Sequence, residues 1–360
     1  MHRLVPVALA LAIAAVLLPV GAAPAAPPGG SYTVTPLVSD GFTSTANPAD
    51  PHLMNAWGLV AGPTTPWWVS DNGTNLATLY TGTGSKVPLE VSVPGAPTGA
   101  VWNGSSSSFV VRNGTASGAA LFLFDTEGGQ VFGWNPGVPP PAPSHAAQLG
   151  ADRTDVGAVY KGLAIAQTIS GPRLYATDFH NGRIDVFDSS FNLVTSSGAF
   201  VDPNLPSNFA PFGIQAIGSR IFVTYGKQQP GSNDEAHGQG LGFVDVYDLD
   251  GSLLARVAER GQLNAPWGLA MAPASFGRYG GDLLVGNFGD GHINAYAELP
   301  GGVWEPQGTL RSTDGGKLTI DGLWALQFGN DHAAGPSSTL FFTAGPNDEA
   351  DGLFGSITTG

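Results

Sequence analysis

The sequence contains no cysteine and few charged residues. The absence of cysteine excludes disulfides, thiolate metal ligands and cysteine nucleophiles. Charged residues make up 12% of the 360 residues, against roughly 25% in an average globular protein, so uncharged polar groups and loops must form most of the surface. With 14 basic and 28 acidic residues the net charge is −14, which opposes binding to nucleic acids or anionic membranes. We expect no nucleic-acid partner.

Long apolar runs are also scarce, and the one present lies at the amino terminus. After His2 and Arg3, an apolar run extends from Leu4 to Val20 and leads into the small-residue stretch GAAPAAPPGG. This layout is typical of a secretory signal peptide. A permanent membrane anchor is the weaker interpretation, because Pro6 interrupts a run at the short end of the about 17–25 residues that a span requires. We predict a signal peptide over 1–26, cleaved to give a secreted, extracellular protein without a stable membrane span.

Glycine and proline, in contrast, are abundant, with 52 and 29 residues. Together they stay slightly below the level that signals disorder, and they argue against a helical bundle. We interpret them as turn residues between the strands of an ordered β fold.

A short unit with an aromatic residue, a glycine and Leu or Ile recurs along the chain. The clearest copies are NAWGLV from Asn55, APFGIQ from Ala210 and NAPWGLA from Asn264, and the weaker ones are PTGAVW from Pro97, YKGLAIA from Tyr160 and DGLWALQ from Asp321. Their glycines, with Gly322 taken for the last copy, are spaced roughly 40–60 residues apart, as expected for a four-stranded propeller blade with loop insertions. Six copies predict an all-β, six-bladed β-propeller.

Hairpin signals follow three of these starts. They are WWVSDNGTNLATLY from Trp67, RLYATDFHNGRIDVFD from Arg173 and DLLVGNFGDGHINAYA from Asp282. Each joins two β-forming runs across an Asn-Gly or Asp-Gly turn, so we predict strands two and three of a blade, with positive φ at Gly182 and Gly291. Fourth strands are predicted from Val87, Leu193, Leu253 and Trp304.

The sixth blade ends after three strands, at LFGSI. The amino-terminal segment SYTVTPLVSDG, from Ser31, matches the other fourth strands, so we predict that it closes the ring. The propeller would then be one monomeric domain over 31–357. Two insertions interrupt it: 137–155, with three consecutive prolines, predicts a stiff surface loop in blade two, and 227–240 predicts a polar loop in blade four.

The segment LYATDFHNGRIDVFD resembles the NHL-type repeat of six-bladed propellers. Across 31–357 the chain resembles an uncharacterised family of exported bacterial six-bladed β-propeller proteins with NHL-like repeats, through APFGIQAIG, NAPWGLA, GDLLVGNFGDG and IDGLWAL. The resemblance implies the fold and assigns no activity.

Candidate metal ligands lie in loops that should share one face. In an up-and-down blade, the loops before strand one and between strands two and three surround the channel mouth, where ligand sites are common. Carboxylate and amide oxygens suit Ca²⁺, and the candidates at the ends of second strands and in the acidic turn of blade six are Asp71, Asp178, Asn287, Asp348, Glu349 and Asp351. The alternative is that these groups cap their own turns or form a solvated loop. The acidic turn is expected beside Asp71, across the seam between blades six and one.

Two other residue types on this face have open roles. The bulky residues Trp57, Phe212, Trp267 and Trp324 either stack a sugar or another flat ligand, or fill the space between adjacent blades. His180 and His292 lie in or beside hairpin turns, as a base or as turn hydrogen-bonding groups.

The sequence assigns no catalytic or cofactor-binding residue. It contains no nucleophile elbow, P-loop or dinucleotide-binding motif. It favours a binding or scaffold module for an extracellular small molecule, glycan or protein. The alternatives, a Ca-assisted hydrolase or lactonase and a quinone-dependent sugar dehydrogenase at the channel mouth, rest on fold analogy.

Overall fold

A computed structural model describes residues 30–46 and 48–360. The predicted signal peptide lies outside these residues. The described chain forms 27 strands and three short 3-10 turns, at Asn72–Thr74, Thr154–Val156 and Gly277–Tyr279. No helix in this part of the chain is long and apolar enough to cross a membrane.

Blades one and two are four-stranded antiparallel sheets, and the amino-terminal strand β1, Ser31–Ser39, precedes them. Blade one contains, from the channel outward, β2 Ala56–Val60, β3 Trp67–Asp71, β4 Leu76–Tyr80 and β5 Lys86–Ser92. Between the first two strands of blade two lies a separate hairpin of β7 Val110–Asn113 and β8 Ala116–Ala119. Blade two itself contains β6 Pro97–Trp102, β9 Phe122–Thr126, β10 Gln130–Trp134 and β11 Gln148–Asp152.

Blades three and four differ in strand number. Blade three has only β12 Tyr160–Thr168, β13 Gly171–Asp178 and β14 Arg183–Phe187. Blade four has β15 Phe209–Ile217, β16 Arg220–Gln228, β18 Gly242–Asp248 and β19 Leu253–Glu259, and the short β17 Glu235–Ala236 also pairs with β16.

Blades five and six complete the ring. Blade five has β20 Pro266–Met271, β21 Leu283–Asn287, β22 Ile293–Leu299 and β23 Val303–Thr309. Blade six has β25 Leu323–Phe328, β26 Leu340–Ala344 and β27 Leu353–Thr359. Strand β1 runs antiparallel to β27, from Tyr32 beside Thr359 to Ser39 beside Leu353, and pairs on its other side with β24 Arg311–Ser312. Closure of the ring by β1 stays a prediction, which deletion of this strand would test.

The six predicted repeat starts coincide with the innermost strands β2, β6, β12, β15, β20 and β25, so the six-bladed fold is confirmed. Each inner strand touches the inner strands of both neighbours, including β25 with β2. All residues of the second strands β3, β9, β21 and β26 are buried, because the neighbouring blades cover both faces of a blade.

The repeated glycines allow neighbouring inner strands to approach each other. Each inner strand carries a β-bulge at this point. A Cβ on Gly213 would lie 2.1 Å from the carbonyl oxygen of Trp267 in the next blade, and one on Gly268 would lie 2.5 Å from that of Trp324. Only glycine fits such an approach without displacing the backbone. In blade six the bulge falls at Trp324 and Ala325, so Gly322 was the wrong residue to align for this copy.

Outer strands were predicted less well than inner ones. The strand predicted from Leu193 is wrong, because residues 188–208 form turns and make only a single bridge, between Leu193 and Phe187. In blade two, the stretch predicted as a surface loop contains the fourth strand, β11. The glycines of two predicted turns do have positive φ, 64° at Gly182 and 67° at Gly291, as expected for hairpins of this kind.

Candidate functional site at the channel mouth

Aromatic side chains fill the channel at the level of the inner-strand bulges. The residues at this position in blades one to six are Trp57, Thr98, Lys161, Phe212, Trp267 and Trp324. The Trp57 and Trp324 rings stack with centroids 3.6 Å apart, and Trp267 meets Trp57 edge-on at 6.2 Å. These aromatic residues pack on one another across the channel. The space-filling role is confirmed in part, because Trp324 of blade six packs against Trp57 of blade one and Trp267 of blade five. Sugar stacking stays a prediction, and the packing leaves little ring surface for it.

Lys161 is the charged member of this ring of positions. Its side chain is 2% exposed, and its Nζ lies 2.6 Å from Oε1 of Glu127 and 5.0 Å from the centroid of the Trp57 ring. Burial disfavours the ammonium charge, but the carboxylates of Glu127, Glu235 and Asp234 together outweigh burial and raise the pKa of Lys161. The side chain is therefore a permanently charged ammonium at the channel axis.

A chain of amides connects Glu127 to the acidic turn of blade six. Oε2 of Glu127 accepts a hydrogen bond from Asn72 Nδ2 at 2.9 Å. Asn55 donates through Nδ2 to Asn72 Oδ1 at 3.3 Å and to Glu349 Oε2 at 2.6 Å. Its Oδ1 accepts from Nε1 of Trp324 at 3.0 Å. The network therefore joins residues of blades one, two and six around the channel axis.

Glu349 reaches the mouth from an unusual backbone turn. Asn347, Asp348 and Glu349 have φ values of 56°, 54° and 66°, a left-handed conformation that costs about 1–3 kcal/mol per residue without glycine and is concentrated at functional sites. Burial raises the pKa of the Glu349 carboxyl, and the charges of Glu235 and Glu127 add to this effect, while Asn55 and Lys161 act against it.

The insertion of blade four supplies Glu235 and His237. Glu235 lies on β17 and is 3% exposed, and its Oε1 lies 3.4 Å from Nε2 of the half-exposed His237. This contact is the main reason why the pKa of His237 is raised. We name the full set the mouth cluster: Asn55, Asn72, Glu127, Lys161, Glu235, His237 and Glu349.

Of the six predicted metal ligands, only Glu349 belongs to the mouth cluster. Asp71 is fully buried, and neither of its carboxylate oxygens has a hydrogen-bond partner among the described residues. Burial raises its pKa well above the usual range. The turn with Asp348 and Asp351 does lie across the seam, where Asn55 donates its backbone N–H to the carbonyl oxygen of Asp351. The Asp351 carboxylate accepts a hydrogen bond from Nδ2 of Asn347 in its own turn.

Asp178 and Asn287 bind their own turns, as the alternative interpretation held. Asp178 accepts hydrogen bonds from the backbone and side chain of Asn181, and Asn287 donates to Oδ1 of Asp290 at 3.0 Å. Metal binding by any of the six candidates stays a prediction.

One other group in residues 30–46 and 48–360 has three carboxylate or histidine ligand atoms within 4.8 Å of one another: Asp50, His52 and Glu90. The ammonium of Lys86 already lies 2.7 Å from Asp50 Oδ2 and 2.5 Å from Glu90 Oε1. A side-chain cation therefore takes the place of a metal between them.

The sequence reasoning missed most of the mouth cluster. One signal was available: in YKGLAIA, Lys161 stands where other copies carry an aromatic residue. His180 and His292 lie outside the cluster, where Nδ1 of His180 is 2.8 Å from Asn233 Oδ1 and Nδ1 of His292 is 3.3 Å from Asp290 Oδ2.

Solved structures with the same fold include virginiamycin B lyase from Staphylococcus aureus, with a TM-score of 0.51 at 11% identity, covering 91% of this chain and 99% of the lyase. A protein of unknown function from Bacteroides thetaiotaomicron gives a TM-score of 0.56 at 11% identity, covering 91% of this chain and 75% of that one. Identities this low show the fold alone.

Sequence relatives are closer, although no family model matches the chain. The uncharacterised protein R648 of Acanthamoeba polyphaga mimivirus is 33% identical over 342 residues, covering 91% of this chain and 80% of R648. The uncharacterised protein L690 of the same virus is 34% identical over 320 residues, covering 86% and 81%. These relatives are viral, so they do not support the bacterial origin and export that the sequence resemblance implied. The chain belongs to the same family as the mimivirus proteins R648 and L690.

Proposed function

We propose that the protein is a binding module that takes a small, positively charged molecule at the mouth cluster. The observation that carries this proposal is the buried Lys161, surrounded by more carboxylates than it can neutralise. Burying charged groups costs several kcal/mol each unless they are well paired. The fold does not require a charge at this position, since four of the other blades place an aromatic residue there.

The charge balance of the cluster favours a cationic ligand. Three carboxylates, on Glu127, Glu235 and Glu349, face one lysine and one half-exposed histidine. A bound cation would stabilise the ionised form of Glu349, whose pKa is raised by burial. Binding should therefore release a proton, and affinity should rise with pH until Glu349 is ionised in the free protein.

The state of Lys161 favours binding over covalent catalysis. A nucleophilic lysine requires a lowered pKa, so that its neutral amine is available. Neighbouring carboxylates raise the pKa of Lys161 instead, and its ammonium is held by Glu127. Lys161 therefore acts as a fixed charge that shapes the site.

Calorimetry with matched probes tests this proposal. Glucosamine and Ca²⁺ are the cationic probes, and N-acetylglucosamine is the neutral control for glucosamine. We expect binding of at least one cationic probe and none of the neutral sugar. Glu349→Gln removes a charge-assisted contact worth about 1.5–3 kcal/mol, so affinity should fall at least roughly tenfold. The control Glu305→Gln changes an exposed glutamate on β23 and should have no effect. Equal binding by Glu349→Gln and the parent would contradict the proposal.

A hydrolase is the second candidate, and the buried Glu349 favours it. A carboxyl with a raised pKa on a strained turn is a common form of catalytic acid or base. Its test is direct: hydrolysis of a sugar lactone, with and without Ca²⁺, that disappears in Glu349→Gln and persists in Glu305→Gln would replace the binding proposal with an enzymatic one.

The proposed location is outside the cell, and it rests on the sequence of residues 1–26 alone. Expression of the full chain in a host with a secretory pathway tests it. Recovery from the medium of a chain that starts near residue 27 is the expected result.

A further inference from the structure

Two departures from the blade repeat meet at the seam between blades three and four. In blade three, residues 188–208 form turns in place of a fourth strand. In blade four, the insertion 227–240 replaces the tight turn between the second and third full-length strands. In repeat proteins, such insertions cluster on one face, which is often the binding face.

The two irregular segments enclose a groove, which we name the seam groove. Its open part has a volume of about 780 Å³ and is lined by His180, Ser207, Asn208 and residues 227–233. An adjoining cavity of about 300 Å³ shares His180, Ser207 and Gln228 with it. These volumes are in the range of small-molecule sites, about 300–1,000 Å³.

Hydrogen bonds fix the polar wall of the seam groove. His180 Nδ1 lies 2.8 Å from Asn233 Oδ1, which connects the turn of blade three to the insertion. Gln228 donates through Nε2 to the Phe179 carbonyl oxygen at 2.6 Å, and Gln229 donates to that of Glu235 at 2.9 Å. Both glutamines use their amide donors on the backbone, so their side-chain oxygens remain as acceptors for a ligand.

Further hydrogen-bonding groups in the groove are unused. The side chains of Ser207 and Asn208 are exposed and make no hydrogen bond to any other described residue. A hydroxyl group and an amide supply both donors and acceptors. The groove therefore offers several neutral donors and acceptors that the fold does not use.

The wall of the adjoining cavity carries apolar side chains beside polar groups that supply most of its exposed surface; the apolar ones are Phe200, Val201, Leu205, Pro206 and Phe209. Arg256 anchors this wall, because its guanidinium contacts the carboxylates of both Asp202 and Asp245. The seam groove is thus largely polar with apolar side chains among its polar groups, and hydrogen bonds and ion pairs hold its lining in place before any ligand arrives.

We propose that the seam groove binds a neutral oligosaccharide. Sugar hydroxyls both donate and accept, which matches amide and hydroxyl side chains, and the C–H faces of sugar rings suit the apolar side chains among them. Lys227 is the basic side chain of the lining beside the imidazole of His180, and Asp202 is the acidic one, so no strong excess of charge selects an ionic ligand. The proposal is independent of the mouth cluster.

Saturation-transfer NMR with the purified full-length protein tests this inference. The neutral probes are cellotetraose, maltotetraose and triacetylchitotriose, and tetragalacturonate is the acidic comparison. We expect at least one neutral probe to bind. Ser207→Trp places a large side chain in the groove and should abolish the signal, and Asn208→Ala should weaken it. The control Ser190→Trp alters an exposed serine in the turn after β14, outside the groove lining, and should keep the signal. Glu349→Gln should also keep it, which separates this site from the mouth cluster.

Three results would overturn the inference. They are no binding of any neutral probe, binding of tetragalacturonate alone, and equal binding by Ser207→Trp and the parent. Loss of the signal in Glu349→Gln together with retention in Ser207→Trp would place the saccharide at the mouth cluster instead.

Discussion

Replacing Lys161 and Glu127 together by neutral residues should stabilise the propeller while removing cation binding. In Lys161→Met with Glu127→Gln, neither ion has to lose its hydration on folding. Lys161 is 2% exposed and the Glu127 side chain 29%, so the lysine accounts for most of that cost. Exchanging a buried ion pair for uncharged residues often stabilises by about 1–4 kcal/mol. The lost contact of Nζ with the Trp57 ring costs about 0.5–2 kcal/mol, which leaves an expected net gain of about 1–2 kcal/mol.

The single variant Lys161→Met should behave in the opposite way. It leaves Glu127 near Glu235 and Glu349 without the ammonium that offsets their charge. Breaking a buried pair in this way costs about 3–5 kcal/mol, an upper bound here because Glu127 reaches solvent. Opposite signs of the change in unfolding free energy for the single and double variants would indicate that the charge is retained for a reason other than stability.

Urea denaturation followed by tryptophan fluorescence measures both effects. The control is the double variant Arg173→Met with Asp250→Asn, which removes a more exposed ion pair with a single contact and should change the free energy of unfolding by less than about 1 kcal/mol. If the Lys161 and Glu127 double variant is less stable than the parent by more than about 2 kcal/mol, well beyond the control, the pair is structural. The proposed binding function would then lose its main support.

Three further variants test the fold. Gly213→Ala should destabilise the protein by more than about 2 kcal/mol, because its Cβ would lie 2.1 Å from the Trp267 carbonyl oxygen. The control Gly137→Ala, whose Cβ would have no atom nearer than 3.5 Å, should be nearly neutral in the same urea assay. Burial raises the pKa of Asp125 to about 7 from 3.8, so the native state keeps a proton that the unfolded state loses. Stability should therefore fall as pH rises from about 4 to 7, by up to about 4 kcal/mol. Asp125→Asn should lack this fall, and parallel pH profiles for the two proteins would refute the assignment. Deletion of Ser31–Ser39, which pairs with β27, should lower the melting temperature and promote aggregation through an open strand edge, and unchanged melting would show that the ring does not need this strand.

The sequence by itself determined the number of blades and the position of each inner strand. These features leave local signals, because the close approach of inner strands requires glycine at one position of the repeat and an Asn-Gly or Asp-Gly turn requires positive φ. The weakest copy shows the limit of such signals. In DGLWALQ the glycine is Gly322, but the bulge lies at Trp324 and Ala325.

Outer strands were less predictable for a physical reason. They lie at the rim, where fewer neighbours constrain the residue pattern, so QLGAD forms β11 without a clear strand signature. The segment from Leu193 looks like a strand but forms turns instead, with Phe200 buried between Tyr175 and Tyr247.

Only the tertiary structure decided the composition of the mouth cluster. Asn55 and Glu349 are 294 positions apart, and Lys161 and Glu127 are 34 apart. Apart from Lys161, which replaces an aromatic residue of the repeat, these residues give no signal within their own blades, and no local spacing rule connects them. Closure of the ring brings these loops onto one axis, where neighbouring carboxylates raise the pKa values of Lys161 and His237 against the effect of burial. Burial itself raises the pKa of Glu349. The blade repeat therefore specifies the scaffold, and the departures from it, once gathered around the channel, form the site.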